Sequence, residues 1–273
     1  TPITGWGAGT WGQGSWGFGV SSTTEVRFWS QSNFGEDLIL GHRGGELFYW
    51  DATNGVETRA VLVSSRAGAS DVPVVQNLIL VSDISRFVFC FGTNEIGSTT
   101  LDPTLLRLSD QENAENWTPS ATNQAGSLRL SRGTEIVAAS QARQEVLVFT
   151  DSSLYSLQYV GAPAVWTANV VGENISISSQ NAVGYANGVA YWMGKDKFYK
   201  YDGRTSPLKC DVRRYVFNDF NTEQYSQVFS GTNESFHEVW WFYCSSSATN
   251  IDRYVIYNYL EDIWYYGTLA RTA

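Results

Sequence analysis

The chain has 273 residues, 18 Lys and Arg against 27 Asp and Glu, and a formal net charge of −9. No stretch concentrates positive charge, which excludes a conventional phosphate-backbone binder. No apolar run approaches the roughly 20 residues of a membrane helix, and no signal-like segment precedes the first turn. Aromatics at 15% nearly match charged residues at 16%, and Met193 is the single methionine, a balance that favours a rigid β structure over a helical bundle.

Residues 1–25 read as a Gly/Trp-rich arm, with Trp6, Trp11 and Trp16 every fifth residue and Phe18 after them. Five is odd, so an extended chain throws successive indoles to opposite sides. Such an arm either folds back on its own domain or docks on a neighbouring subunit. In the second reading Trp6, Trp11, Trp16 and Phe18 are the candidate subunit interface. Thr1 stands where an initiator Met would, so the chain reads as processed or as part of a longer product.

Residues 26–273 carry a recurring hairpin. It reads Leu38-Ile39-Leu40 with Leu47-Phe48-Tyr49-Trp50, then Leu78-Ile79-Leu80-Val81 with Phe87-Val88-Phe89. It returns as Val146-Leu147-Val148-Phe149 with Leu154-Tyr155-Ser156-Leu157, and as Val189-Ala190-Tyr191-Trp192 with Phe198-Tyr199-Lys200-Tyr201. The last copy pairs Val239-Trp240-Trp241-Phe242-Tyr243 with Tyr254-Val255-Ile256-Tyr257. Short β-branched and aromatic runs broken by Gly, Asn, Asp or Ser are hairpins. Their spacing of roughly 40 to 50 residues predicts an all-β, β-propeller-like repeat of four-stranded antiparallel blades, about five or six in number. One wide gap opens at Gly92, and an insertion near 92–127 is expected there, as a decorated outer strand pair or a small added unit. Asp211 is placed to cap a short helix over 212–217, within an inserted segment near 211–220, with Tyr215, Val216 and Phe220 on one face.

Chemistry-bearing motifs are weak. Gly7-Ala8-Gly9-Thr10-Trp11-Gly12 and Gly12-Gln13-Gly14-Ser15-Trp16-Gly17 match the dinucleotide glycine pattern, yet neither follows an apolar strand nor opens a helix. His42 and His237 lack metal-ligand spacing, and no nucleophile elbow occurs. Asp110, Glu112, Asp151, Asp196, Asp202 and Glu238 mostly fall in turns, where Asp stabilises the bend. Neither a sialidase Asp-box nor WD repeats are found. Three sequon matches, at Asn116, Asn174 and Asn233, read as chance. Cys90, Cys210 and Cys244 lack C-x-x-C spacing and read as free thiols of a reducing compartment. No enzyme activity, cofactor or metal is expected.

The order of several strings carries a resemblance. Arg107-Leu108-Ser109-Asp110-Gln111-Glu112-Asn113 with Asn116-Trp117-Thr118-Pro119, and Glu145–Asp151 leading to Leu157-Gln158-Tyr159-Val160-Gly161, are two of them. Tyr191-Trp192-Met193-Gly194 with Phe198–Gly203, Tyr215–Asp219, and Glu238–Tyr243 followed by Tyr257-Asn258-Tyr259 and Trp264 are the others. Together they resemble the tail hub or nozzle proteins of short-tailed bacteriophages, also called tail tubular protein B or packaged-DNA stabilization protein. The similarity runs from about Leu105 onward, and residues 26–100 match by pattern. The family's members are typically much longer than this chain.

The resemblance implies a virion structural protein with a β-propeller, usually a homo-hexameric ring below the portal and adaptor, that retains packaged DNA until ejection. Partners would be the adaptor and tail fibre or needle proteins. Genomic DNA would pass without specific binding, and an acidic conduit wall fits this by repelling phosphates. The alternatives are a carbohydrate- or receptor-binding propeller of a phage tail, with Trp117 or Trp166 stacking on sugars, and a cellular scaffold that binds peptides.

Overall fold

The computed structural model describes residues 28–83, 85–161 and 164–269. The arm with Trp6, Trp11, Trp16 and Phe18 lies outside the described residues. The rest is all-β, in five four-stranded antiparallel sheets, each a run of sequence-adjacent strands. The first contains β1 (Trp29–Phe34), β2 (Asp37–His42), β3 (Phe48–Trp50) and β4 (Val61–Leu62). The second contains β5 (Gln76–Val81), β6 (Val88–Asn94), β7 (Leu101–Leu108) and β8 (Gly126–Arg129), and the third β9 (Ile136–Gln141), β10 (Val146–Thr150), β11 (Ser153–Gly161) and β12 (Val165–Glu173). The fourth contains β13 (Val183–Ala186), β14 (Val189–Met193), β15 (Phe198–Tyr201) and β16 (Thr205–Pro207), and the fifth β17 (Phe229–Asn233), β18 (Glu238–Tyr243), β19 (Arg253–Asn258) and β20 (Ile263–Thr268).

The first strands of successive sheets lie against one another, β1 on β5, β5 on β9, β9 on β13 and β13 on β17. This is a β-propeller-like arrangement of five sheets. Contact of that extent does not recur between the fifth sheet and the first among the described residues.

First strands must tolerate close approach, and their sequences show it. A Cβ on Gly184 of β13 would meet Val239 Cγ1 at 2.9 Å, so a larger residue there would force β13 off the fifth sheet. The β13–β14 hairpin closes through Asn187 (φ 49°) and Gly188 (φ 79°) between the paired Ala186 and Val189. Two positive φ values in a two-residue loop are the type I′ turn that Asn-Gly favours, because its twist matches that of the strands.

Sheets with neighbours on both sides bury both faces, so β6 and β10 are buried at every position. Aromatics fill the spaces between sheets. Trp166 meets Phe87 and Phe89 edge-on at 5.7 and 5.0 Å, and Trp192 meets Phe149 at 5.0 Å and stacks on Tyr199 at 5.3 Å. Phe198 packs against both Trp241 and Trp264, at 5.0 and 4.7 Å, and the two indoles stack on each other at 6.1 Å. Such contacts add roughly 0.5–1.5 kcal/mol each beyond area burial.

Three expectations need correction. The hairpin read at Leu78 and Phe87 pairs the first and second strands of its sheet, whereas the other four pair the second and third. The wide gap follows from this slip in phase: β5 is as apolar as a central strand, while the third strand, β7, opens with Leu101-Asp102-Pro103-Thr104. Residues 92–127 are accordingly the end of β6, all of β7, the start of β8 and a β7–β8 excursion over 109–125, which is the outer-strand-pair reading. The helix forms between the fourth and fifth sheets as α1 (Arg213–Asn218), but Val212 occupies the cap position without a side-chain bond, so Asp211 does not cap it. Val216 and Phe220 are buried, while Tyr215 is 43% exposed and packs on Tyr266 at 4.3 Å.

The 109–125 excursion is tied down by a buried cation. Arg107 is 2% exposed and donates to the backbone carbonyls of Asp71, Asn94 and Trp117. Burial lowers its pKa from the ordinary arginine value. Trp117, 1% exposed, lies beneath its guanidinium. Truncation would remove the donor from all three carbonyls and leave those of Asn94 and Trp117 without it in the buried interior. Arg107→Ala should therefore destabilise the chain by about 3 kcal/mol in urea unfolding, with little change if the excursion contributes nothing to stability.

A second tie joins the third sheet's entry to its central turn. Burial acts to raise the Asp151 carboxyl, but bonds from the Thr134 hydroxyl at 2.7 Å and the Thr134 backbone N–H at 2.8 Å outweigh it and hold the group below its usual range. A depressed folded pKa gives stability that is present above the unfolded carboxylate pKa, about 4, and lost as pH falls below it. Asp151→Asn should cost about 1 kcal/mol near neutrality and flatten the acid limb of the stability curve. Circular dichroism melts across that limb provide the check.

Candidate functional site

Two open cavities lie along the first strands. The larger, about 500 Å³, is bordered by Asp83, Gln141, Arg143, Tyr185, Asn187 and Gly188, from the turns that join the first and second strands of the second, third and fourth sheets. Tyr185 accepts the Arg143 backbone N–H at 3.1 Å, which fixes one turn against the next. Gln141 donates to the carbonyls of Ala142 and Glu145, leaving its buried Oε1 without a partner among the described residues. The second cavity, about 420 Å³, is lined by Ser140, Gln180, Asn181, Phe229 and Ser230 among others. There Ser230 bonds the Asn181 carbonyl through both its N–H and its hydroxyl, at 2.7 and 3.0 Å, and stitches β17 to the segment that precedes β13. The five first strands together contain no Lys, Arg, Asp or Glu. The inner wall can therefore offer amides, hydroxyls and apolar contacts.

The carboxylates weighed in the sequence are engaged in local structure. Asp110 accepts the backbone N–H groups of Gln111 and Gln124 at 2.9 and 2.8 Å, and Asp196 pairs with Lys197 and Arg213, both at 3.5 Å. Asp202 pairs with Lys200 at 3.2 Å, and Glu238 accepts from the Trp240 indole at 2.9 Å. Glu112 sits at a turn with φ 55°. Among the described residues no three His, Cys, Asp or Glu side chains converge as a metal site. His42 packs edge-on against Trp29 at 5.5 Å, and His237 ends a 3₁₀ turn in the left-handed region.

One carboxylate that composition did not single out joins two sheets. Glu145, in the β9–β10 turn, accepts from Ser156 of its own sheet and from Tyr201 of the fourth at 3.4 Å. Burial and then the Glu145 charge push the Tyr201 phenol up to about 12. The residues share no motif, and only the sheet-to-sheet contact brings them together.

Trp117 and Trp166, named above for sugar stacking, are 1% and 5% exposed. Both face the core because each fills a space between packed elements, so neither can present a ring to a glycan. The exposed aromatics are others: Trp29 at 52%, Phe236 at 66%, and Tyr265 and Tyr266 on β20 at 45% and 51%. With Leu260, Ile263 and Leu269 also exposed, the last strand is an apolar free edge, a kind of edge that proteins ordinarily cover.

All three cysteines are free, with Cys90 and Cys244 buried. Burial raises each thiol, Cys244 to about 11 and Cys210 to about 12. Thiolate is the reactive form, so an aromatic disulfide reagent at neutral pH should label the native chain slowly, and all three thiols promptly in denaturant. Rapid native labelling would contradict this packing.

Among the described residues no helix is long and apolar enough to cross a membrane. No protein-family profile and no curated protein matches the sequence. In three dimensions the chain is similar to Hsv2 of Kluyveromyces marxianus at 8% identity, covering 90% of this chain and 65% of that one, with a TM-score of 0.48. Hsv2 of Kluyveromyces lactis is similar at 12% identity, with 90% and 64% covered and a TM-score of 0.48. The extracellular domain of a hybrid two-component system from B. thetaiotaomicron gives 14% identity, 78% and 25% covered, and a TM-score of 0.46. The chain thus spans less than two thirds of these structures' lengths. The five-sheet description rests on this chain's own strand order and packing.

Proposed function

We propose that the chain is a structural subunit of a short-tailed phage tail, in which a ring of copies continues the DNA channel below portal and adaptor and holds packaged DNA until ejection. The observation that carries this reading is the order of the hub-like strings from Arg107 to Trp264, which fall on the second to fifth sheets and their connections. Support also comes from the chemistry. A net charge of −9 suits a wall that a polyanion must slide past rather than grip. Aromatic packing between successive sheets makes a stiff body, as a wall under pressure requires. In the ring, the apolar β20 edge is a surface for a neighbouring copy or an adaptor.

The glycan-binding alternative has lost Trp117 and Trp166 to the core, and no observation favours it. Electron microscopy with light scattering of purified chain tests the hub. Six-fold rings, or density on virions, are the expected result. A persistent monomer at high micromolar concentration that stays off assembled tails would overturn it.

A further inference from the structure

Charges of opposite sign border the larger cavity without meeting. Asp83 stands in the β5–β6 turn of the second sheet and Arg143 in the β9–β10 turn of the third, and both line the space of about 500 Å³. Both are exposed, and neither side chain has a hydrogen bond or an ion pair among the described residues. At the other end of the sheets, charges on separate connections do pair, Arg43 with Glu135 at 3.6 Å and Arg132 with Glu173 at 3.5 Å. Beside the cavity a carboxylate and a guanidinium instead keep their full hydrogen-bonding capacity.

The rest of the lining is neutral: Gln141, Ala142, Tyr185, Asn187 and Gly188. Tyr185 Oη accepts the Arg143 backbone N–H at 3.1 Å, and its own hydrogen has no acceptor among the described residues. A free hydroxyl donor is thereby fixed against the residue that carries the guanidinium. Asn187 is exposed and adds an amide, while Gly188 leaves the rim open, since a Cβ there would meet nothing within 4 Å. The volume falls within the range of small-molecule sites.

We propose that this cavity binds a small zwitterion of amino-acid to dipeptide size, its carboxylate on Arg143 and the Tyr185 hydroxyl and its ammonium on Asp83. The lining selects that class by sign. A simple anion would meet the Asp83 carboxylate, and a simple cation would meet Arg143. A neutral sugar would take water from both ions and neutralise neither. A zwitterion satisfies both, through charge-assisted hydrogen bonds, which are the strong ones, and a guanidinium takes a carboxylate through two parallel bonds. Both protein charges are exposed, so salt screens the attraction and binding weakens as ionic strength rises. The site lies within one copy of the chain, so it does not depend on the ring.

The test is isothermal titration calorimetry of the full chain at low ionic strength with dialanine as the probe. Wild type should bind it saturably, and should bind N-acetyl-dialanine and dialanine amide, each lacking one charge, about fivefold more weakly. Asp83→Asn should bind the free and acetylated forms alike, and Arg143→Gln the free and amidated forms alike. Neither side chain has a bond to lose, so thermal melts of both variants should match wild type. No saturable binding of dialanine at millimolar concentration, or equal binding of free and capped forms by wild type, would overturn the proposal. A preference for the free form that survives both substitutions would place the site elsewhere and also overturn it. So would binding of N-acetyl-Lys-Asp amide in place of dialanine, since the occupant would then be an internal segment of a protein chain.

Discussion

Each four-stranded sheet in the series has two faces to bury, and stacking sheet against sheet buries them with no connecting layer of helices. That requirement makes β6 and β10 buried from end to end, puts large rings between sheets, and forces the first strands to be small where neighbours converge. An isolated antiparallel sheet needs only one apolar face and shows alternation along its strands. Here alternation is muted in the middle of the series and returns at its ends, as the partly exposed Leu38 and Leu40 flanking buried Ile39 show.

Polar groups then hold the packed sheets in register. Arg107 gathers carbonyls from a strand, an excursion and the connection leading out of the first sheet. Glu145 links the third sheet to the fourth through Tyr201, and the Trp241 indole donates to the Ala182 carbonyl at 2.9 Å, tying the fifth to the fourth. These bonds are directional where apolar contact is not, so they select one arrangement of similar sheets. The Glu145 bond also engages a carboxylate. The result is a closely packed body whose thiols burial holds in the protonated form.

Much of the fold was legible because central strands are apolar on both sides and therefore long, continuous and aromatic. Four central hairpins and the β5–β6 hairpin stand out for that reason. The first strands were harder to see: Val183-Gly184-Tyr185-Ala186 is only four residues long, with Gly184 close against Val239, and Phe229-Ser230-Gly231-Thr232-Asn233 is mostly small and polar, so both read as loop. β5 escapes that rule, and its Leu-Ile-Leu-Val core shifted the phase of the second repeat. Site residues were less legible still. Trp117 and Trp166 have a sugar-stacking composition, but a tryptophan's exposure depends on what lies over it.

The sequence by itself determined the all-β class, the repeat, the acidic charge, and the five-residue spacing of tryptophan over residues 6–16. These properties belong to single segments and follow from residue type and spacing. Only the tertiary structure decided the five-sheet count, the burial of Arg107 and Trp117, and the meeting of Glu145 with Tyr201. Each of these depends on which segments become neighbours, and a pattern that repeats almost identically along the chain does not say which copy will stand at an end.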